Sequence, residues 1–265
     1  MKNFDYTYND VETILRSLKL KKNDSVFLST SLGMLGIPST VNKNYFLISS
    51  KWLLKSIKKI IGKKGNIFVP TYSYTFGKKK KVFNPKKTKA DIGYFPNFFL
   101  KQKKITRSSD PMMSIAGIGP DCRKILLKNS NSSFGKNCVL ERLFLIKNLK
   151  CLHVGLSYNW MPFMHYLDWK NKVPFRFDKR LSGYIIANNK KKKIHWIYFA
   201  RILRDETFSN GFRIGIKALK KKLYMRLVLG KSMIYIIDYR KFYNFSKYLT
   251  KKNKWLTVDG PKFKT

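Results

Sequence analysis

SVFLSTSLGMLGIPSTVNKNYFLISSKWLLKSIKKIIGKKGNIFVPTYS, residues Ser25 to Ser73, sets two short apolar runs on either side of one long amphipathic segment. Val26-Phe-Leu28 and Ile67-Phe-Val69 are too short for helices and read as buried strands. Between them Phe46, Trp52, Leu53, Ile57, Ile60 and Ile61 recur at helical spacing, and Gly62 and Gly65 end the helix. Strand, helix and strand in this order argue for a parallel α/β sheet. Each strand runs into small hydroxyl residues: Ser29-Thr-Ser31 before Leu32-Gly-Met-Leu-Gly36, and Thr71, Tyr72 and Ser73 after Pro70. Such loops let a ligand approach the backbone closely. The spacing of a P-loop or a dinucleotide fingerprint is absent.

Upstream, Asn9-Asp-Val-Glu12 has the pattern of a capping box at the start of a first helix. Downstream, Thr75 to Ala90 reads as an exposed loop, and a short helix from about Asp91 carries Phe95, Phe98 and Phe99. Arg107 and Asp110, in the turn before Pro111, read either as a structural pair with each other or as part of the catalytic site. The strand Ile115–Ile118, a helix near Asp121–Lys128, the loop Ser132–Lys136 and the helix Leu140–Leu145 follow. The apolar run Leu149 to Gly155 is a further buried strand, with His153 as a core histidine. Beyond Gly183, Tyr184–Ala187 with Ile194–Phe199, and Leu223–Leu229 with Ser232–Ile237, read as antiparallel hairpins. His195 in the first of them reads as structural. Asp238 caps a last helix. The expectation is one mixed sheet, parallel first and antiparallel in the C-terminal third, within a single domain over 1–265.

The segment after the Leu149–Gly155 strand is NWMPFMHYLDWKNKVPFRFDKRLSG, residues Asn159 to Gly183. It opens a helix with Asn159 or Trp160 near the N-cap and Pro162 in the first turn. His165 and Asp168, three residues apart, share a face of that helix. A carboxylate there can fix an imidazole's tautomer and stabilise its protonated form, as a general base requires. Their place just past a strand is where open α/β sheets put their chemistry.

With 44% apolar and 15% aromatic residues the chain is globular rather than disordered. It has no apolar run long enough to span a bilayer and no signal-peptide core near its start, so a cytoplasmic location is expected. Cys122, Cys138 and Cys151 lack zinc-ligand spacing and read as buried free thiols; no metal is expected. The net charge of +42 comes from 56 basic residues, 45 of them Lys and 11 Arg, in a chain also rich in Asn, Ile, Phe and Tyr. Apart from Arg these residues have A/T-rich codons, and Arg, the favoured phosphate fork, is scarce. The charge therefore reads as composition rather than as a dedicated nucleic-acid site, although a basic nucleic-acid-binding protein is the rival reading.

SVFLSTSLGMLG, GNIFVPTYSYTF, FNPKKTKADIGYFPNFF, ITRSSDPMMSIAGIG, SSFGKNCVLERL and FMHYLDWKNKVPFRFDKRLSG, in this order, resemble the aminoglycoside 3-N-acetyltransferase family. The resemblance implies a three-layer α/β/α fold and transfer of acetyl from acetyl-CoA to an amine of an amino sugar or aminoglycoside. His165 matches the histidine of a His-x-x-Glu element, with Asp168 in place of the Glu. Asp110 stands where antibiotic-acetylating members have a histidine before the proline, and joins the candidate catalytic residues. The loops Ser29–Gly36, Thr71–Ser73 and Ser133–Lys136 would hold CoA or shape its channel. The candidate contacts are Ser29, Thr30, Ser31, Leu32, Gly33, Thr71, Ser73, Ser114, Phe134 and Gly135, with Tyr72 and Arg107 on the acceptor. The expected partners are a small-molecule amine and, at most, a second copy of the chain. The departures at Asp110 and Asp168 set a member that keeps the fold without activity beside the enzyme as an alternative.

Overall fold

The computed structural model describes residues 4–40, 43–159, 161, 163–187 and 189–261. The elements run α1 (Tyr8–Ser17), β1 (Ser25–Thr30), α2 (Tyr45–Ile61), β2 (Ile67–Pro70), β3 (Val82–Phe83), α3 (Tyr94–Leu100), β4 (Thr106–Arg107) and β5 (Ile115–Ile118). They continue with α4 (Cys122–Leu126), α5 (Val139–Arg142), β6 (Leu149–Val154), α6 (Phe163–Lys170), β7 (Arg176–Ala187) and β8 (Lys190–Arg201). The chain closes with α7 (Phe212–Lys220), β9 (Met225–Leu229), β10 (Ser232–Asp238) and α8 (Tyr239–Lys252).

The main sheet has seven strands in the order β4-β5-β2-β1-β6-β10-β9. β1 lies parallel to both β2 and β6, with Val26 opposite Ile67 and Ser29 opposite His153. β5 joins β2 antiparallel, and β10 joins β6 antiparallel. The parallel start and the terminal β9–β10 hairpin match expectation. The other hairpin does not belong to this sheet: β7 and β8, of 12 residues each, form a second sheet of three strands with β3. Its strands extend well beyond the expected apolar tips, because Arg176 to Ser182 pair with His195 to Arg201 through backbone groups that polar side chains do not reveal.

Alternation along the strands builds two cores. Val26, Leu28, Ile67, Val69, Leu152 and Val154 face Val11, Leu15, Leu53, Ile57, Phe95 and Phe99 of α1, α2 and α3. Phe27, Phe68, Leu149 and Cys151 face the opposite way, toward Leu140, Phe163, Leu167 and Phe242 of α5, α6 and α8. The result is the expected three layers. Exposed lysines stand on both outer layers, Lys55 and Lys59 on α2 and Lys241 and Lys251 on α8, so the charge does not gather on one face.

Two helix starts differ from expectation. The capping box of α1 is formed by Thr7 and Asp10 rather than by Asn9 and Glu12. Thr7 Oγ1 accepts from Asp10 N at 3.2 Å, Asp10 Oδ2 accepts from Thr7 N at 2.7 Å, and Glu12 is left to pair with Arg16 and Lys59. α6 begins at Phe163, so Asn159 is not its cap; it lies in the preceding turn against Gly211. Trp160 and Pro162 fall outside the described residues.

Gly155 ends β6 with φ at +69°, and a Cβ there would meet the carbonyl oxygen of Ser31 at 2.3 Å. This glycine lets the β6 exit press on the loop that follows β1. Gly62 has the same φ of +69°, but a Cβ there would find nothing closer than Lys22 Cγ at 4.0 Å. Gly62→Ala should therefore cost about 1–3 kcal/mol, the backbone cost of a conformation that glycine alone adopts readily. Gly155→Ala should cost clearly more, as read by denaturant unfolding of both variants. Equal losses would show that the loop after β1 yields freely.

Candidate active site

The parallel strands β1, β2 and β6 end at one edge of the sheet and release three chain segments there: Ser31 to Gly36, Thr71 to Thr75, and the approach to α6. α6 buries Phe163, Met164, Tyr166, Leu167 and Asp168, which leaves His165 half-buried. The imidazole is held from two sides. Phe134 lies with its ring centroid 5.2 Å away at an interplanar angle of 56°, and Arg176 places Nη2 2.9 Å from His165 Nδ1. Phe134 is positioned by the Ser132–Lys136 loop, where Ser132 Oγ accepts from the backbone N–H of Gly135 at 2.9 Å. A Cβ on Gly135 would lie 2.9 Å from that oxygen, so the tight turn excludes a side chain. Tyr198 of β8 packs on the far side of Phe134, with centroids 5.5 Å apart.

Asp168 does not hydrogen-bond to the imidazole. Arg176 stands between the two and donates from Nε to Asp168 Oδ2 at 3.0 Å. The other carboxylate oxygen accepts from Thr257 Oγ1 at 2.8 Å. The expected direct pairing of His165 and Asp168 is thus replaced by a relay through a buried guanidinium. Burial pushes the Asp168 carboxyl up to about 6, against the pull of Arg176 and Thr257. Burial and the adjacent Arg176 both push His165 down.

Asp110 is a buried turn acceptor. Its Oδ1 accepts from Met112 N and Met113 N, each at 2.8 Å, and from Ser133 Oγ at 3.0 Å. Ser133 in turn accepts from Trp196 Nε1 at 2.9 Å, tying the turn to β8. Burial raises Asp110 to about 6. Tyr72 and Tyr198 are raised chiefly by their own burial, with Asp110 close enough to add to both. The Tyr72 hydroxyl is buried with no hydrogen-bond partner among the described residues.

The Arg107–Asp110 pair does not form. Arg107 donates to Thr71 O at 2.7 Å, to Thr71 Oγ1 and Ser114 Oγ, and to the carbonyls of Pro85 and Thr88. Its guanidinium also lies 5.0 Å from the centre of the Phe83 ring. It staples the loop after β3 to the end of β2, and these acceptors all belong to the protein.

The candidate cofactor contacts divide by exposure. Ser29, Leu32, Thr71, Ser73, Ser114, Phe134 and Gly135 are buried, whereas Thr30, Ser31 and Gly33 reach the surface. Beside Gly33 stand the stacked rings of Phe46 and Tyr94, 5.5 Å apart, and the exposed Met34. His153 is a buried core histidine, but its Nδ1 has no partner among the described residues. All three cysteines are buried, and burial pushes Cys122 and Cys138 up to about 12 and Cys151 upward as well. None is suited to carry an acyl group, since the thiolate is the nucleophile. Two participants escaped the sequence reading. Arg176 sits inside the quoted PFRF stretch with nothing local to mark it, and Thr257 lies 89 residues from the carboxylate it serves.

No curated protein matches the chain. Among solved structures, aminoglycoside acetyltransferase AAC(3)-Xa is similar at 15% identity, with 93% of each chain covered and a TM-score of 0.79. AAC-IIIb, in a binary complex with CoASH, is similar at 14% identity, covering 97% of this chain and 98% of that one, with a TM-score of 0.78. YokD from Bacillus subtilis is similar at 16% identity, covering 93% of this chain and 100% of that one, with a TM-score of 0.76. At such identities these likenesses establish the fold. The family model described as aminoglycoside 3-N-acetyltransferase matches residues 42–251, most of the chain and all of the elements that hold His165, and the chain belongs to that family.

Proposed function

We propose that this acyltransferase moves an acetyl group from acetyl-CoA directly to an amine of an amino sugar, free or as part of an aminoglycoside, with His165 at the reacting centre. The observation that carries the reading is the clamp on His165. A partly buried imidazole at the ligand edge of the sheet is fixed by Phe134 and Arg176, and fixed groups are what reaction geometry demands. The buried, poorly ionised cysteines support direct transfer over a protein-bound acyl intermediate.

The residues at the edge of β1 fit an acetyl-CoA co-substrate. Thr30 and Ser31 offer accessible hydroxyls, Gly33 leaves the backbone open, and Met34, Phe46 and Tyr94 provide apolar surface for a thioester-bearing chain. The +42 charge attracts the phosphates from a distance without needing a dedicated patch. The lysines on both faces support this generic role rather than a nucleic-acid stripe.

The test is release of free thiol from acetyl-CoA against a panel of aminoglycosides, amino sugars and nucleotide-linked amino sugars, with acetylated product counted one for one. His165→Ala should keep its melting temperature and lose about 10²-fold or more of its turnover. Full turnover in a well-folded His165→Ala protein would remove His165 from the centre. Asp168→Asn should act through stability instead. It leaves Arg176 buried without its counter-charge, a loss of about 3–5 kcal/mol that unfolding by denaturant will show. The apparent affinity for acetyl-CoA should weaken steadily as salt is raised, since exposed charges are screened over about 10 Å at 0.1 M. A KM for acetyl-CoA that ignores ionic strength would rule out long-range attraction.

A further inference from the structure

Arg176 decides which nitrogen of His165 carries the ring proton. A guanidinium has only N–H donors and no acceptor. Its Nη2 lies 2.9 Å from Nδ1, so Nδ1 accepts and the proton resides on Nε2. The rest of the fork is engaged, Nε with Asp168 and Nη1 with Phe199 O at 3.3 Å, which holds it in place. Protonating Nδ1 would set an N–H against an N–H and one positive charge against another. The charged and titratable groups around the ring are Arg176 from β7, Asp168 from α6 behind it, and Tyr198 from β8 beyond Phe134. Asp168 is saturated by Arg176 and Thr257, so it does not reach the ring to favour the imidazolium.

We infer that His165 serves acetyl transfer as a neutral hydrogen-bond donor through Nε2, and that Arg176 is the positioning residue that fixes this tautomer. The inference rests on the assignment of acetyl transfer to this site. It gives the histidine a different task from the proton acceptor expected of a His–carboxylate pair, because the lone pair on Nδ1 is taken and Nε2 has none to offer. During transfer a C–N bond forms between the unprotonated acceptor amine and the acetyl carbonyl carbon. The C–S bond breaks, and the amine's proton passes to the departing thiolate, directly or through water. Nε2–H stabilises the negative charge that gathers on the carbonyl oxygen in between. Fixed donors of this kind are worth about 10²–10³ in turnover.

Two measurements on the whole protein test this. The first is nitrogen-15 spectroscopy of the histidine side chains; there are 3 in the chain, and His165→Gln identifies the signals of His165 by their loss. The expected result is an unprotonated Nδ1 and a protonated Nε2 throughout about pH 5 to 8, where a free imidazole would titrate. An Nδ1–H tautomer, or an imidazolium within that range, would overturn the inference while leaving the site assignment intact. The second compares His165→Gln with His165→Ala. Glutamine places an amide N–H near the position of Nε2 but cannot act as a base, so it should retain at least about ten times the turnover of the alanine variant. Equal loss in both would overturn the donor role alone. Full turnover in His165→Ala would overturn the site assignment, and the donor role with it. In the same nitrogen-15 spectra, Arg176→Met, where it folds, should free Nδ1 and let the Nδ1–H tautomer appear, while burial still holds the ring below its ordinary titration range. Spectra that keep only the Nε2–H tautomer in folded Arg176→Met protein would count against the positioning role.

Discussion

The buried ion pair between Arg176 and Asp168 ties together three parts of the chain that lie far apart in sequence or in different sheets. Arg176 opens β7 of the small sheet, Asp168 lies on α6 beside the large one, and Thr257 comes from the segment after α8. Taking both charges out of water is expensive, and their attraction offsets that cost only when the remaining donors and acceptors are satisfied. Here they are: Thr257 fills the free carboxylate oxygen, and Phe199 O and His165 Nδ1 take the other arms of the fork. Such a pair adds little net stability against an apolar replacement. Its contribution is to fix one arrangement of the two sheets around α6, with the imidazole in a single orientation.

The large sheet makes that arrangement possible by separating two cores. One side of each central strand packs on α1, α2 and α3. The other side supports α5, α6 and α8, and through them the clamp on His165. The second sheet leans on the same core through Phe83, Ile185, Trp196 and Phe199. Hydrogen bonds between Trp196, Ser133 and Asp110 then align the Phe134 loop with the turn that follows β4. Each residue near the imidazole is thus held by an element whose own packing is independent of ligand.

Much of the framework was legible in the sequence, because short apolar runs and a helical apolar stripe are local signals. β1, α2, β2 and β6 fall where Val26–Leu28, Leu53–Ile61, Ile67–Val69 and Leu149–Gly155 place them. What the pattern does not carry is partnership. Tyr184 to Phe199 reads as a hairpin, but nothing in it says that β3, about a hundred residues earlier, is its neighbour rather than β6. The start of the first helix offers two capping patterns, and the one that forms is Thr7 with Asp10, leaving Glu12 to pair with Lys59. At the site, His165 and Asp168 share a helix face as their spacing requires. The spacing is silent about an arginine inserted between them, just as the proximity of Arg107 and Asp110 in sequence conceals that backbone atoms satisfy both.

The three buried thiols carry a consequence for the life of the protein outside catalysis. A cysteine reacts with oxidants and electrophiles as its thiolate, and only where a reagent can touch the sulfur. Cys122, Cys138 and Cys151 fail on both counts in the folded state. The three thiols are therefore silent while the protein is folded. Thiol-directed alkylating and disulfide reagents reach them only when it opens, so they act as built-in reporters of unfolding.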